Sequence, residues 1–410
     1  MRSRELLNFA LEVLSNSLKY KTIYGEDSEV IVEYYREVLS NYGIHTTVHR
    51  VPSEYVEKFV PARFNPQKPR YILLARVGYG DKVLQYNGHY DVVPPGDGWS
   101  SDPFSPVIKG GRLYGRGTSD MKGGIAAILA SLVYFAQVKE PSLIVEAALV
   151  PDEEIGGITG TGYLIKELGS RPDWAVIGEP SGINNIYIGH RGTLWLMIKI
   201  LGKQAHGSSP WVGDNAFKKM LTYASIFLDK YEKYLNNKAS KLVYEDPRAS
   251  KPSLSVGGLL LSAGAVNIVP GISGFSVDRR LIVEESAEEV LSEIIMLDEE
   301  IKKDTGIQSE IEVLNKSNPA YTPESSPIVS TLRDVVKAVT GAEASSTICN
   351  GGLDLKYYTN AGIPAVAYGP GNGEVAHKAD EYIEIDHLEK AIEVYIELIK
   401  RLEDLSSERA

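Results

Sequence analysis

Histidine and carboxylate side chains recur just after the apolar runs of this sequence, where the strands of an open α/β sheet would end. Ligands bind at the carboxyl ends of such strands. We therefore expect two histidines and several carboxylates to converge on one edge of the sheet. Without a thiolate, this donor set suits zinc, cobalt or manganese. The candidates are His89, Asp91, Asp152, Glu153, Glu154, Glu179 and His377.

His89 and Asp91 stand one residue apart in "NGHYD". Residues i and i+2 of a strand point the same way, so Asp91 can accept one ring N–H of His89 and leave the other ring nitrogen for a metal. This predicts His89 as a metal ligand and Asp91 as the residue that orients it. A histidine paired with a carboxylate in an ordinary polar pocket fits these two residues alone equally well.

Glu153 and Glu154 are adjacent, and consecutive side chains of an extended segment diverge, so the two cannot share one role. One would bind metal while the other holds the water that the metal acidifies. For "PDEE" taken alone, a solvated acidic turn is the alternative.

Asp120 lies in "GRGTSDMKGG", directly ahead of a predicted helix, and alone it would be an N-cap. As a further carboxylate, it could instead bridge two metal ions about 3.5–4 Å apart. The glycines around it do not indicate a nucleotide site, because the chain has no phosphate-binding loop motif and no dinucleotide fingerprint in a strand–turn–helix context.

Composition excludes several classes of protein. The 43 Lys and Arg against 54 Asp and Glu give a formal net charge of -11 without a basic run, so we expect no nucleic-acid partner. The single cysteine, Cys349, excludes an internal disulfide and a cysteine-rich metal site. The first 20 residues predict an amphipathic helix rather than a signal peptide. With no stretch near the roughly 20 apolar residues of a membrane span, we expect a cytoplasmic protein without a membrane partner.

The apolar runs alternate with helical patterns, and the length of 410 residues predicts two or three domains. Runs that are apolar throughout are typical of strands covered on both faces, so the predicted fold class is α/β with a largely parallel sheet. The predicted strands include 71–77, 143–150, 174–177 and 363–368. The predicted helices are 1–20, 27–42, 122–138, 325–340 and 386–405.

Between residues 190 and 315 the predicted order becomes β-α-β-β-α-β, which is typical of a self-contained ferredoxin-like α+β unit. Because an αβ pattern resumes after it, we expect a catalytic domain in two parts, 1–189 and 316–410, with this unit inserted. His206, in "GKQAHGSSP", falls in the insertion, and a histidine at such a place is by itself more often structural.

Nine motifs resemble, in order, those of the di-zinc amidohydrolases and metallopeptidases. That family includes acetylornithine deacetylase, succinyl-diaminopimelate desuccinylase, aminoacylase and glutamate carboxypeptidase. The motifs extend from about residue 70 to 385, and their number and order favour metal binding over the alternatives above. They are "GHYDVVP", "GRGTSDMKGG", "PDEEIGG", "VIGEPS", "GHRGT", "QAHGSSP", "NIVPG", "VDRR" and "AHKADEYI".

The resemblance implies two divalent ions per chain, with zinc the first choice and cobalt or manganese the alternatives. It implies that His89 and Glu179 bind one ion, that Glu154 and His377 bind the other, and that Asp120 bridges them.

The resemblance also assigns the remaining residues. Glu153 is the general base, with Asp91 behind His89. The insertion is a lid and dimerisation domain, so the partner is a second copy, and His206 stabilises the oxyanion in the neighbouring subunit's site. The residues implied for the substrate carboxylate are Arg191, Thr193, Asn267 and Arg280.

The resulting prediction is hydrolysis of the amide bond of a small N-acyl amino acid, such as N-acetylornithine or N-succinyl-diaminopimelate. A dipeptidase or carboxypeptidase with the same site is the alternative. A non-catalytic metal-binding relative is less favoured, because a binder needs no general base. One stretch departs from the family: "GGLDLK" replaces Gly-Gly-Thr-Asp-x-Arg, so Leu353 replaces a hydroxyl side chain and Lys356 an arginine.

Overall fold

The structure is a computed structural model that describes residues 3–407, with side chains up to residue 404. The chain divides into two compact units. Unit 1 comprises Met1–Ile188, Tyr321–Thr347 and Leu353–Ala410, and unit 2 comprises Gly189–Ala320 and Ile348–Gly352. The assignment of a catalytic role to one and a lid role to the other stays a prediction.

Eighteen strands lie in the described part of the chain, numbered here in chain order. They are β1 (His45–Arg50), β2 (Tyr71–Val77), β3 (Val83–His89), β4 (Val107–Lys109), β5 (Arg112–Tyr114), β6 (Ile144–Val150), β7 (Trp174–Ile177), β8 (Asn185–His190), β9 (Gly192–Leu201), β10 (Ala205–His206), β11 (Ser253–Leu261), β12 (Ile268–Val269), β13 (Ile272–Leu281), β14 (Ser309–Ser317), β15 (Ala320–Tyr321), β16 (Ser345–Cys349), β17 (Ala365–Ala367) and β18 (Tyr382–Glu384).

The same residues contain ten α-helices, and all five helices predicted from the sequence are among them. The helices are α1 (Ser3–Ser17), α2 (Ser28–Ser40), α3 (Ser53–Phe59), α4 (Gly123–Val138), α5 (Thr161–Lys166), α6 (Ala216–Leu235), α7 (Ala287–Thr305), α8 (Pro327–Thr340), α9 (Leu355–Asn360) and α10 (Ile385–Ser407).

The large sheet is mixed. Its strand order is β1-β2-β6-β3-β7-β17-β8-β15, with β16 paired to β8. The four central strands, β6, β3, β7 and β17, are parallel, whereas β1, β2 and β8 pair antiparallel with their neighbours. The expectation of a largely parallel sheet is therefore right only for the centre, because an apolar run reveals burial on both faces but not strand direction.

Helix α4 is buried along almost its whole length. Gly124 brings it so close to the segment after β7 that an added Cβ would lie 2.0 Å from the carbonyl oxygen of Gly178. The helical stretch Thr118–Val138 is long and apolar enough to cross a membrane, contrary to the sequence-based expectation, but 78% of its apolar window is buried inside the structure. An apolar helix of this kind is typical of a protein core as well as of a membrane span.

Unit 2 contains β9, α6, β11, β13, α7 and β14 in that order, which is the expected β-α-β-β-α-β pattern. Its four strands form an antiparallel sheet in the order β11-β13-β9-β14. Buried side chains of β9 and β13 pack with those of α6 and α7 in one hydrophobic core. The short β10 and β12 pair separately.

Candidate active site

Three parallel strands deliver most of the predicted site residues to one edge of the sheet. His89 is the last residue of β3, which lies between β6 and β7. Glu153 and Glu154 follow the end of β6 at Val150, and Glu179 follows the end of β7 at Ile177. These side chains meet because the three strands end at the same edge.

Asp120 lies between the two histidines. Its Oδ1 is 3.0 Å from His89 Nε2, and its Oδ2 is 3.1 Å from His377 Nε2. Each histidine also faces a second carboxylate: His377 Nε2 is 3.0 Å from Glu154 Oε2, and His89 Nε2 is 3.8 Å from Glu179 Oε1. The five residues therefore form two groups that share Asp120.

Burial and mutual repulsion raise the pKa of three carboxyls in this cluster. Burial, then the charge of Glu179, raises the pKa of Glu153 well above its ordinary value. Burial and the charge of Asp120 raise the pKa of Glu154 to about 7. Burial also raises the pKa of Glu179, although the neighbouring His89 partly offsets it. Positive charge placed beside these groups would lower their pKa values and favour the ionised carboxylates.

The neighbouring carboxylates raise the pKa of both histidines. Hydrogen bonds to Asp120 and Glu154 raise the pKa of His377 to about 10. Burial alone would lower the pKa of His89, but the charge of Glu179 and the hydrogen bond to Asp120 outweigh it and raise that pKa. Burial would likewise raise the pKa of Asp120, yet hydrogen bonds from His377 and His89 lower it.

The donor chemistry fits divalent metal ions. Ligand atoms of His89, Asp120 and Glu154 lie within 4.8 Å of one another, and so do those of His89, Glu153 and Glu179. The buried Glu179 Oε1 has no hydrogen-bond partner within residues 3–407. Glu153 is thus as close to His89 as a ligand would be, so distance alone does not separate the predicted base from the predicted ligands.

Asp91 contacts His89 mainly through its backbone. His89 Nδ1 is 3.0 Å from the Asp91 carbonyl oxygen and 3.4 Å from the carboxylate. The carboxylate accepts the backbone N–H groups of Glu153 and Glu154, at 3.2 and 3.1 Å. Asp91 therefore ties the end of β3 to the turn after β6, a contact that the spacing within "NGHYD" did not reveal.

Asp152 belongs to a different arrangement from its two acidic neighbours. Its carboxylate accepts Arg70 Nε at 2.7 Å and the Thr159 hydroxyl at 2.5 Å, and both Arg70 and Asp152 are buried. Asp152 has a φ of 64°, in the left-handed region. The Arg70–Asp152 pair anchors the turn that carries Glu153. Asp152 therefore faces the interior of the protein.

Asp354 was not among the predicted site residues. It is buried, and neither carboxylate oxygen has a hydrogen-bond partner in the described chain. Its Oδ1 lies against the turn after Glu154, where a Cβ added to Gly157 would be 2.0 Å away. In the sequence, Asp354 was indicated only by its position inside "GGLDLK", the stretch that departs from the family pattern.

The other predicted residues lie in unit 2, in two places. His206 is exposed on β10, with its Nδ1 2.8 Å from the Ser208 hydroxyl. Asn267 is next to it, because its carbonyl oxygen accepts the Gly207 N–H at 2.7 Å.

Arg191, Thr193 and Arg280 meet at the β9–β13 ladder, where Thr193 pairs with Arg280. Arg191 donates to the Arg280 carbonyl oxygen at 3.1 Å, and Arg280 donates to the Thr193 hydroxyl at 3.4 Å.

Comparisons with known proteins show the family of this chain. The model of peptidase family M20/M25/M40 matches residues 86–401. Succinyl-diaminopimelate desuccinylase of Stenotrophomonas maltophilia is 31% identical, over 80% of this chain and 86% of that protein. An uncharacterized metallohydrolase of Methanocaldococcus jannaschii is 29% identical over 97% of this chain and 100% of that protein.

Two solved structures share the fold. An M20 family metallo-carboxypeptidase from Sulfolobus solfataricus has a TM-score of 0.72 at 22% identity, with 95% of this chain and 98% of that chain covered. A dinuclear metal binding peptidase of the M20 family from Bacillus subtilis has a TM-score of 0.71 at 14% identity, with 98% and 99% covered.

The chelator-treated protein should lose stability as the pH rises from about 6.5 towards 10. The pKa of His377 is about 10 in the folded chain against an ordinary 6.5, so in that window the folded state binds more protons than the unfolded state, and stability falls with rising pH. Thermal unfolding midpoints across this window, for wild type and His377→Gln, measure the effect. The variant should lose less stability over the window, and parallel profiles would contradict the account.

Proposed function

This chain belongs to peptidase family M20/M25/M40, and on that premise we propose that it hydrolyses N-acyl amino acids with two divalent metal ions. As a member, it is a metal-dependent hydrolase that acts on amide bonds. The observation that carries the two-metal proposal is the position of Asp120, whose two oxygens face different histidines. Zinc is the first choice, with cobalt or manganese the alternatives.

His89, Asp120 and Glu179 would hold one ion, and Asp120, Glu154 and His377 the other. Bound there, such ions polarise a substrate carbonyl and lower the pKa of a bound water from 15.7 to about 7.

Glu153 takes the proton of the attacking water and passes it to the departing amine. The position of Glu153 supports this role, because its carboxylate lies beside His89 and Glu179 within the cluster proposed to hold the ions. The carboxylate of Asp91 accepts the backbone N–H of Glu153 and so helps to fix the position of the general base.

The proposed substrate is an N-acyl amino acid because curated relatives at 31% identity are succinyl-diaminopimelate desuccinylases. Arg191 is proposed for an anionic substrate because its guanidinium is positively charged and its planar set of donors matches a carboxylate. Thr193 and Arg280, which lie beside Arg191, are proposed to bind the carboxylate with it. Asn267 is proposed to contribute from its separate place beside His206. A dipeptide or carboxypeptidase substrate is the second candidate, favoured by the metallo-carboxypeptidase among the similar structures.

We propose a homodimer formed through unit 2, in which His206 serves the metal site of the partner. The support is a set of exposed apolar side chains on this unit: Trp211, Leu259, Leu260, Val313 and Leu314. Four of these residues lie on β11 and β14, the two edge strands of the unit 2 sheet, and an exposed edge strand is a template for pairing with another chain. His206 uses Nδ1 for Ser208, so Nε2 is the atom proposed for the oxyanion. A cytoplasmic location completes the proposal and is supported by the single cysteine.

Glu153→Ala should keep both metal ions and lose turnover, by about 10²–10⁴-fold for a general base. Glu154→Ala should lose metal from one site, because Glu154 faces His377 directly. Metal analysis and kcat of the two variants separate the roles. If Glu153→Ala strips metal while Glu154→Ala keeps both ions, the two assignments are reversed.

N-acetyl and N-succinyl amino acids should be better substrates than dipeptides. The measurement is kcat/KM on a matched panel in which each acyl amino acid is compared with a dipeptide of the same C-terminal residue. Higher values on dipeptides across the panel would promote the peptidase alternative.

His206→Ala should lose about 10²–10³ in kcat, the usual effect of one oxyanion donor, with unchanged metal content. Co-refolded Glu153→Ala and His206→Ala chains should regain activity, because one site of the heterodimer combines an intact base with the partner's intact histidine. Native mass spectrometry shows whether heterodimers form. Heterodimers without activity would mean that His206 does not act in the partner's site.

A further inference from the structure

The buried carboxylate of Glu381 accepts four hydrogen bonds from the segment that carries Asp120. Oε1 accepts the backbone N–H groups of Ser119 and Asp120, at 2.8 and 3.1 Å. Oε2 accepts the backbone N–H of Gly117 at 3.1 Å and the guanidinium of Arg116 at 2.5 Å. The side chains of Arg116 and Glu381 are 1% and 0% exposed, so these donors have no competing water.

The segment of Glu381 is also joined to the Asp120 segment by its backbone. The carbonyl oxygen of Glu381 accepts the Gly115 N–H at 3.0 Å, and β18, which begins at the next residue, pairs with β5. The Ser119 hydroxyl donates to the Tyr382 carbonyl oxygen at 2.7 Å. His377 precedes Glu381 by four residues. The contacts between these two segments therefore position two proposed metal ligands, Asp120 and His377, relative to each other.

We infer that Glu381 is a positioning residue that fixes Asp120 relative to His377 and thereby sets the affinity of the ion that these two residues hold with Glu154. The inference rests on the proposed function, since it concerns the second of the two proposed ions. Glu381 itself touches neither the ions nor the substrate in this account.

The chemistry of the four contacts requires a carboxylate. Each contacting group is a donor, and an ionised carboxylate offers two oxygens that only accept. A glutamine has nearly the same shape but carries an NH₂ group in place of one oxygen. In either orientation of the amide, the NH₂ group would face two of the four donors that now contact the carboxylate. Arg116 would also remain buried without its counter-charge.

The second ion should be more sensitive to Glu381 than the first. Asp120 serves both proposed ions, whereas His377 serves only the second. Loosening the Glu381 contacts therefore disturbs two of three donors of the second ion and one of three donors of the first. A purely structural role for the buried Arg116–Glu381 pair would instead weaken both ions together with the fold.

The test is a zinc titration of the full-length protein against a chromogenic chelator, for wild type, Glu381→Gln and a control, Glu324→Gln. Glu324 is exposed and pairs with Arg333 at 3.5 Å, outside the proposed machinery and outside the candidate metal groups. We expect two zinc affinities for wild type and for the control. In Glu381→Gln one of the two affinities, that of the second ion, should fall by about 10–100-fold, the range typical of residues that orient metal ligands, while the other changes less.

Two further measurements separate a change at the metal site from a loss of folding. The absorption spectrum of the cobalt-loaded protein should change for Glu381→Gln and not for Glu324→Gln, and thermal unfolding monitors the fold. If the Gln variant does not fold, Glu381→Asp, which keeps an acceptor-only carboxylate one methylene shorter, should show the same selective loss in smaller measure.

Wild-type affinities for both ions in a folded Glu381→Gln or Glu381→Asp chain would overturn the inference. Equal losses for both ions, in step with a lower unfolding midpoint, would also overturn it in favour of a structural role. A wild-type chain that binds fewer than two ions would refute the proposed function itself, and the inference with it.

Discussion

Buried negative charge is the constraint on which this site depends. Glu179 is buried, and Glu153 and Glu154 are half-buried beside Asp120. In the described part of the chain two histidines, His89 and His377, lie among them. Ionised carboxylates at such a place are unfavourable unless they are paired or coordinate metal. The raised pKa values of the three glutamates and of both histidines express the same deficit of positive charge. Two divalent cations would remove it, which is why the site favours metal chemistry over a simple hydrogen-bonded network.

Buried acceptors fix the loops that carry these groups. The Asp91 carboxylate holds two backbone N–H groups of the Glu153–Glu154 turn, Asp152 anchors that turn to Arg70, and Glu381 holds the segment of Asp120. Each anchor is a carboxylate that turns away from the proposed metals and accepts from backbone or guanidinium. A carboxylate that faces hydrogen-bond donors therefore anchors a loop, whereas one that faces other carboxylates is a proposed metal ligand or base.

The central strands of the large sheet could be predicted because their signals in the sequence are local. Parallel strands such as β3 and β7 are apolar runs, and the residues that end them are polar, so His89 and Glu179 could be placed at one edge. The edge strand β1 escaped notice because "HTTVHR" is polar and mostly exposed. Helix α4 was underestimated as an apolar segment because glycine, serine and glutamine interrupt it. Asp354 and Glu381 depend on contacts between residues far apart in the chain, which no spacing within one motif encodes.

The central claim is that two metal ions lie on either side of Asp120. Diffraction data from crystals of the zinc-loaded protein, collected above and below the zinc absorption edge, test it most directly. The account predicts two anomalous peaks about 3.5–4 Å apart, one beside His89 and one beside His377, with an Asp120 oxygen facing each. A single peak at full zinc occupancy, or two peaks that do not share Asp120, would contradict it.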